Sequence, residues 1–120
     1  MSRVFLAGKD WQTRALLRAQ LLEEGVSVEA LETVAEALAR LDFFPVRPDL
    51  LIAEISSSDH PSEDVERLRP WATRLPIWLI ASHTSSLEIG PEPHFERILF
   101  RPLDLGKLVA EIRQRLGERQ

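Results

Sequence analysis

A small set of residues could do chemistry in this chain: Gly8-Lys9-Asp10, Glu54, Ala81-Ser82 and Arg101, each where a short apolar run stops. Lys9 and Arg101, with the backbone amides of the turn at Gly8, could together bind an anion. Alternatively Arg101, a planar and permanently charged fork, could hold the Glu54 carboxylate in a bidentate pair. Glu54 and Asp10 stand against Lys9 and Arg101, so the formal charges cancel, and Lys9 is expected to turn its charge toward Glu54. A group already neutralised has little electrostatic reason to take Mg²⁺, which favours carboxylates and phosphates. No nucleophile with an adjacent base is visible, so an enzyme is the least supported class.

The remaining polar features point to no second centre. His60, His83 and His94 fall in loops, with Asp59 and Asp10 as potential co-ligands, but their spacing matches no metal motif. No metal and no cofactor is therefore expected. Ser56-Ser57-Ser58 reads as a polar loop rather than a kinase target. The chain has no cysteine, which excludes disulfides, thiolate catalysis and cysteine-ligated metals. Nineteen acids against 15 bases give a net charge of -4, which argues against nucleic acid as the partner. No apolar run approaches the ~20 residues that span a bilayer, and Met-Ser-Arg leads into a strand without a signal-like segment, so the expectation is a cytoplasmic protein. At 120 residues, one domain over 1–120 is expected.

The elements that must position these residues follow from the pattern. Val4 to Ala7 is a short strand, and Asp10 caps a helix through Leu17 and Leu21 that stops at Gly25. Val26, Val28 and Ala30 alternate with polar residues as in a half-covered strand. Thr33 and Glu36 form a capping box for a helix through Ala37 and Leu41. Leu50 to Ile55 and Pro76 to Ala81 are apolar throughout, as in strands covered on both faces. Between them a helix over Ser62 to Arg69 is expected to end at Pro70. Ile98 to Phe100 is a last strand, and Asp104 caps a final helix carrying Leu105, Leu108, Val109, Ile112 and Leu116. Trp78 is read as core and Trp71 as a partial lid, while Trp11, beside Lys9, either stacks over the pocket mouth or marks an exposed contact; Glu36–Arg40 and Glu111–Arg115 are i,i+4 pairs. Strands alternating with helices imply a parallel sheet covered on both faces, with ligands at the strands' carboxyl ends.

RPDLLIAEI (47–55), LPIWLIAS (75–82) and ILFRPLDLGKL (98–108), at this spacing and after the opening strand and helix, resemble the receiver domain of two-component response regulators. The resemblance implies a flavodoxin-like α/β fold with a five-stranded sheet in the order 2-1-3-4-5. In that family two acids after the first strand and an aspartate after the third hold Mg²⁺, and the aspartate accepts a phosphoryl group. A Thr or Ser after the fourth strand contacts that group and a lysine after the fifth pairs with it. Here the acidic pair falls on Gly8 and Lys9, the phospho-acceptor on Glu54, the Thr/Ser on Ala81 and the lysine on Arg101, while Ile98 replaces an aromatic often found in the fifth strand. Every position departs. The expected protein is a degenerate, non-phosphorylatable pseudo-receiver.

The stretch 82–96 departs as well. The family's fourth helix belongs there, but Gly90, Pro91 and Pro93 predict that it is shortened or lost. Trp11, Ile89, Phe95 and Ile98 are the candidate surface for a protein partner in signalling, with neither nucleic acid nor membrane involved. The alternatives are a homodimerisation module, through the first helix, the last helix or the 82–96 loop, and a small-anion sensor in the former phosphate pocket. Glu54 itself is either a mimic of phosphoaspartate or a salt-bridge plug that closes the fold.

Overall fold

A computed structural model describes residues 2–43, 47–82 and 94–117. The elements run β1 (Arg3–Ala7), α1 (Trp11–Glu23), β2 (Ser27–Leu31), α2 (Val34–Phe43), β3 (Leu50–Glu54), α3 (Pro61–Ala72), β4 (Ile77–Ala81), β5 (Arg97–Phe100) and α4 (Leu105–Gly117). The strands form one parallel sheet in the order β2-β1-β3-β4-β5. Val4 pairs with Leu50 and Ala7 with Ala53, while Glu54 pairs with Ile80 and Ala81 with Phe100, so the chemistry-bearing residues end their strands along one edge.

Alternation along the strands sorts the core into two layers. Phe5, Leu51, Ala53, Ile77 and Leu79 meet α2 and α3 through Val34, Leu41, Val65 and Leu68. Leu6, Ile52, Trp78 and Ile80 meet α1 and α4 through Leu17, Leu21, Leu108 and Ile112. Both faces of β3 and β4 are thus covered, which is why those strands carry continuous apolar runs.

The helix starts follow local rules. Asp10 caps α1, accepting from the amides of Gln12 at 3.2 Å and Thr13 at 3.3 Å, and Gly25 closes it at φ +80°. Thr33 accepts from the Glu36 amide at 3.1 Å, but the Glu36 carboxylate takes the amide of Glu32 rather than that of Thr33. Asp104 accepts from the Lys107 amide at 3.0 Å at the start of α4.

Three expectations need correction. First, α3 does not stop at Pro70 but runs through it to Ala72. Proline there forfeits one bond of the last turn, while continuing the helix seats Trp71 and Ala72 against the core. Second, the charge pairs join different elements: Arg40 pairs with Glu29, Arg97 with Glu111 at 2.7 Å, and Arg115 with Glu96 at 2.8 Å. Cross-element partners fix a geometry that i,i+4 pairing on one exposed face does not. Third, Phe95 is 5 % exposed and packs in the α2–α3 layer, so it is core rather than partner surface. Ile98 is half-buried against the same layer. Ile89, His83 and the fate of the family's fourth helix lie outside the described residues. Trp11 is 64 % exposed, and Leu16 and Leu22 are also exposed on α1.

Candidate functional site

The end of β3 turns sharply, and Ser56 and Ser57 come back toward the carboxylate two and three residues earlier. Glu54, 3 % exposed, accepts hydrogen bonds from the Ser56 and Ser57 hydroxyls and from the Ser57 amide at 3.2 Å. A buried charge is tolerable only when its lone pairs are met in this way. Reading Ser56-Ser57-Ser58 as a polar loop does not anticipate these bonds to Glu54. The readable signal was the serines' offset from Glu54, since short polar side chains at such spacing close local side-chain turns.

Gly8 makes room for this arrangement. A Cβ built on Gly8 would stand 2.7 Å from the Glu54 Cβ and 3.2 Å from its Oε2, so β1 and β3 approach too closely for side chains on both. The Gly8 amide donates to the Leu31 carbonyl at 3.0 Å, and its carbonyl accepts from the Arg14 guanidinium, which pins the turn from both sides. Gly8 therefore has a structural reason that its place in the sequence alone does not disclose.

Arg101 joins the ends of three elements. Its Nε donates to Ser56 Oγ at 2.8 Å; its Nη2 donates to Asp10 Oδ2 at 2.8 Å and to Thr13 Oγ1 at 3.1 Å. Glu54 Oε1 lies 3.6 Å from the same Nη2, within ion-pair range but beyond a good hydrogen bond, so the expected fork-to-carboxylate pair is relayed through Ser56. Burial pushes the Asp10 carboxyl up, but hydrogen bonds from Thr13, the Arg101 charge and the Gln12 amide outweigh it and hold the group below the usual 3.8.

Lys9 does not turn toward Glu54. It pairs with Asp59 at 2.5 Å, both side chains being about half exposed or more (49 % and 69 %). Glu54 already accepts three hydrogen bonds from Ser56 and Ser57, and a strongly hydrated ammonium loses less in an exposed pair than in a buried one. The hydrogen bond and charge of Lys9 hold the Asp59 carboxyl below its ordinary value. The cancellation of charge read from sequence is thus divided: Lys9 is offset outside, and among the described residues Arg101 is the cation that faces Asp10 and Glu54. Ala81 is buried at the end of β4 and brings no hydroxyl to the group.

Beside this cluster a cleft of about 270 Å³ opens between the starts of α2 and α3. Its ionisable walls are Glu32, Glu54, Asp59, Glu63 and Asp64 against Lys9 and Arg67, and His60 also lines it. That acidic balance is the reverse of what an anion needs. Among the described residues no group of three or more His, Asp or Glu side chains is placed to hold a metal ion.

No protein-family model matches the sequence, and no curated protein matches it. Solved structures do match. The receiver domain of the Francisella response regulator 1452 superposes over 100 % of both chains with a TM-score of 0.80 at 14 % identity. A response regulator receiver protein from Burkholderia phymatum gives 0.78 at 20 % identity, covering 98 % of this chain and 96 % of its own. The response regulator TrrA from Thermotoga maritima, crystallised in complex with Mg²⁺ and BeF, gives 0.75 at 21 % identity over 96 % and 99 %. The fold of this chain is that of receiver domains.

Proposed function

We propose that this chain is a cytoplasmic pseudo-receiver: a receiver-fold domain that accepts no phosphoryl group and serves as a regulatory protein–protein interaction module in signal transduction. The observation that carries the reading is the interlock of Glu54 with Gly8. In this backbone a Cβ at position 8, where the resemblance puts an acidic ligand, would stand 2.7 Å from the Glu54 Cβ, so a side chain there requires β1 or β3 to shift. The donor set does not fit Mg²⁺ either. The Glu54 oxygens face serine donors, those of Asp10 face the α1 amides, Thr13 and Arg101, and a lysine follows Gly8. Dehydrating Mg²⁺ requires uncommitted carboxylate oxygens in near-octahedral array. Glu54 acts as a plug holding β3, β5 and α1 together, since a group so deeply covered offers a partner no charge. No helix among the described residues is long and apolar enough to cross a membrane.

The test is an amide NMR titration with Mg²⁺ and beryllofluoride. The spectrum is expected to stay unchanged; saturable shifts confined to residues around Glu54, Ser56 and Arg101 would overturn the proposal. Glu54→Gln separates the two roles of the glutamate. A plug loses stability while the folded fraction keeps its partner, whereas a phosphoaspartate mimic stays folded and loses the partner.

A further inference from the structure

At the opposite end of the sheet from Glu54, two arginines converge on one indole. Arg74 lies with its guanidinium carbon 4.6 Å from the centroid of the Trp71 ring, and Arg47 with its own 4.9 Å from the same centroid. Laid end to end, those distances cap the separation of the two charges at 9.5 Å. That is about one Debye length at physiological salt, so their repulsion is incompletely screened. Neither guanidinium has an ion-pair or hydrogen-bond partner among the described residues.

Local structure holds the arrangement. The chain closes tightly after α3, with the Arg74 amide donating to the Trp71 carbonyl at 2.8 Å and that of Leu75 to the same carbonyl at 3.1 Å. This brings Arg74 back over the ring three residues before it. Arg47 precedes Pro48, which restricts it to extended backbone, and Pro48 is buried at the approach to β3. Trp71 is half-buried, packed on the α2–α3 layer by one part and open by another. The stretch Glu66 to Arg74 carries three arginines and one acid in a chain of net charge -4, so positive charge is gathered here against the overall balance.

We propose that Arg47, Trp71 and Arg74 form a docking clamp for an acidic segment of a protein partner. Stacking occupies the face of a guanidinium and leaves its N–H edge free to take a carboxylate bidentately. An apolar side chain next to that carboxylate covers the open part of the indole. Tryptophan and arginine are the residues most enriched where binding energy concentrates. The acidic chain as a whole disfavours a nucleic-acid backbone, and a clamp of two charges lacks the length to track one. The partner class rests on the reading of the domain as an interaction module, whereas the clamp is measured separately from the response to phosphate mimics, so either can fail alone.

The experiment follows the Trp71 indole N–H resonance, identified by its loss in Trp71→Phe, during titration with a short capped peptide of alternating Glu and Leu. The expected result is a saturable shift that weakens with added salt, with affinity reduced roughly two- to five-fold by each of Arg47→Gln and Arg74→Gln. Both substitutions lie on exposed side chains, and dispersed amide spectra verify that the variants remain folded. No shift of Trp71, an equal shift with a Lys-Leu peptide, or tighter binding to oligo-thymidylate or phosphatidylserine vesicles overturns the proposal.

Discussion

Replacing Gly8 by alanine tests the interlock most directly, because the perturbation is one methyl group whose surroundings are known. The three nearest atoms to the new Cβ all belong to Glu54, the closest being its Cβ at 2.7 Å. A Cβ is fixed to the backbone, so relief requires β1 and β3 to move apart or twist where Ala7 and Ala53 are paired. Overpacking of this kind costs about 1–3 kcal/mol. Removing glycine from the unfolded chain returns about 0.4–1 kcal/mol, leaving a net loss of about 1–2 kcal/mol. For a domain of this size that is a fall in Tm of roughly 4–8 °C. The assay is urea and thermal unfolding followed by circular dichroism, in the wild type and in a Glu54→Gly background. With no Cβ at position 54, Gly8→Ala becomes neutral or stabilising, giving a coupling energy of about 1–3 kcal/mol. An equal loss in both backgrounds, or a stabilised single variant, refutes the reasoning.

Arg101→Ala removes the links to Asp10, Thr13 and Ser56 together and is expected to cost about 1.5–3 kcal/mol by urea midpoint; Arg101→Lys recovers only part, because one ammonium cannot span the three. Asp10→Asn tests the acid limb of stability. The Asp10 carboxyl is held below 3.8, so its contribution is complete above that value and is lost as pH falls through the lowered one. The stability gap between wild type and variant is therefore widest near neutrality and closes in strong acid, as urea titrations at the two extremes report. Lys9→Ala leaves the urea midpoint unchanged, since the pair it breaks is exposed and screened.

The fold was legible because its signals are local and redundant. Leu50 to Ile55 announces a strand covered on both faces, and Asp10, Gly25, Thr33 and Asp104 mark helix ends that the structure places where capping chemistry requires. The site was legible only as a set of strand ends. That Gly8, Glu54 and Arg101 come together follows from sheet order, but the partner each side chain selects depends on depth. Lys9 at the surface takes Asp59, and Glu54 beneath takes the serines next to it. Counting charges along the sequence cannot separate those two layers. Phe95 and Pro70 fail for a related reason: Phe95, close to turn-formers, and Trp71 and Ala72, just past Pro70, are drawn against the core where a neighbouring face needs cover.

On the pseudo-receiver reading, the departures from the receiver pattern depend on one another. Glu54 needs the space that Gly8 leaves, its carboxylate needs Ser56 and Ser57, and Ser56 needs Arg101, whose remaining N–H groups hold Asp10 and Thr13. Restoring an aspartate at position 8 alone would place its Cβ against Glu54, and a lysine at position 101 alone would strand Asp10 or Ser56. On the pseudo-receiver reading, that mutual dependence accounts for finding all of these positions changed together.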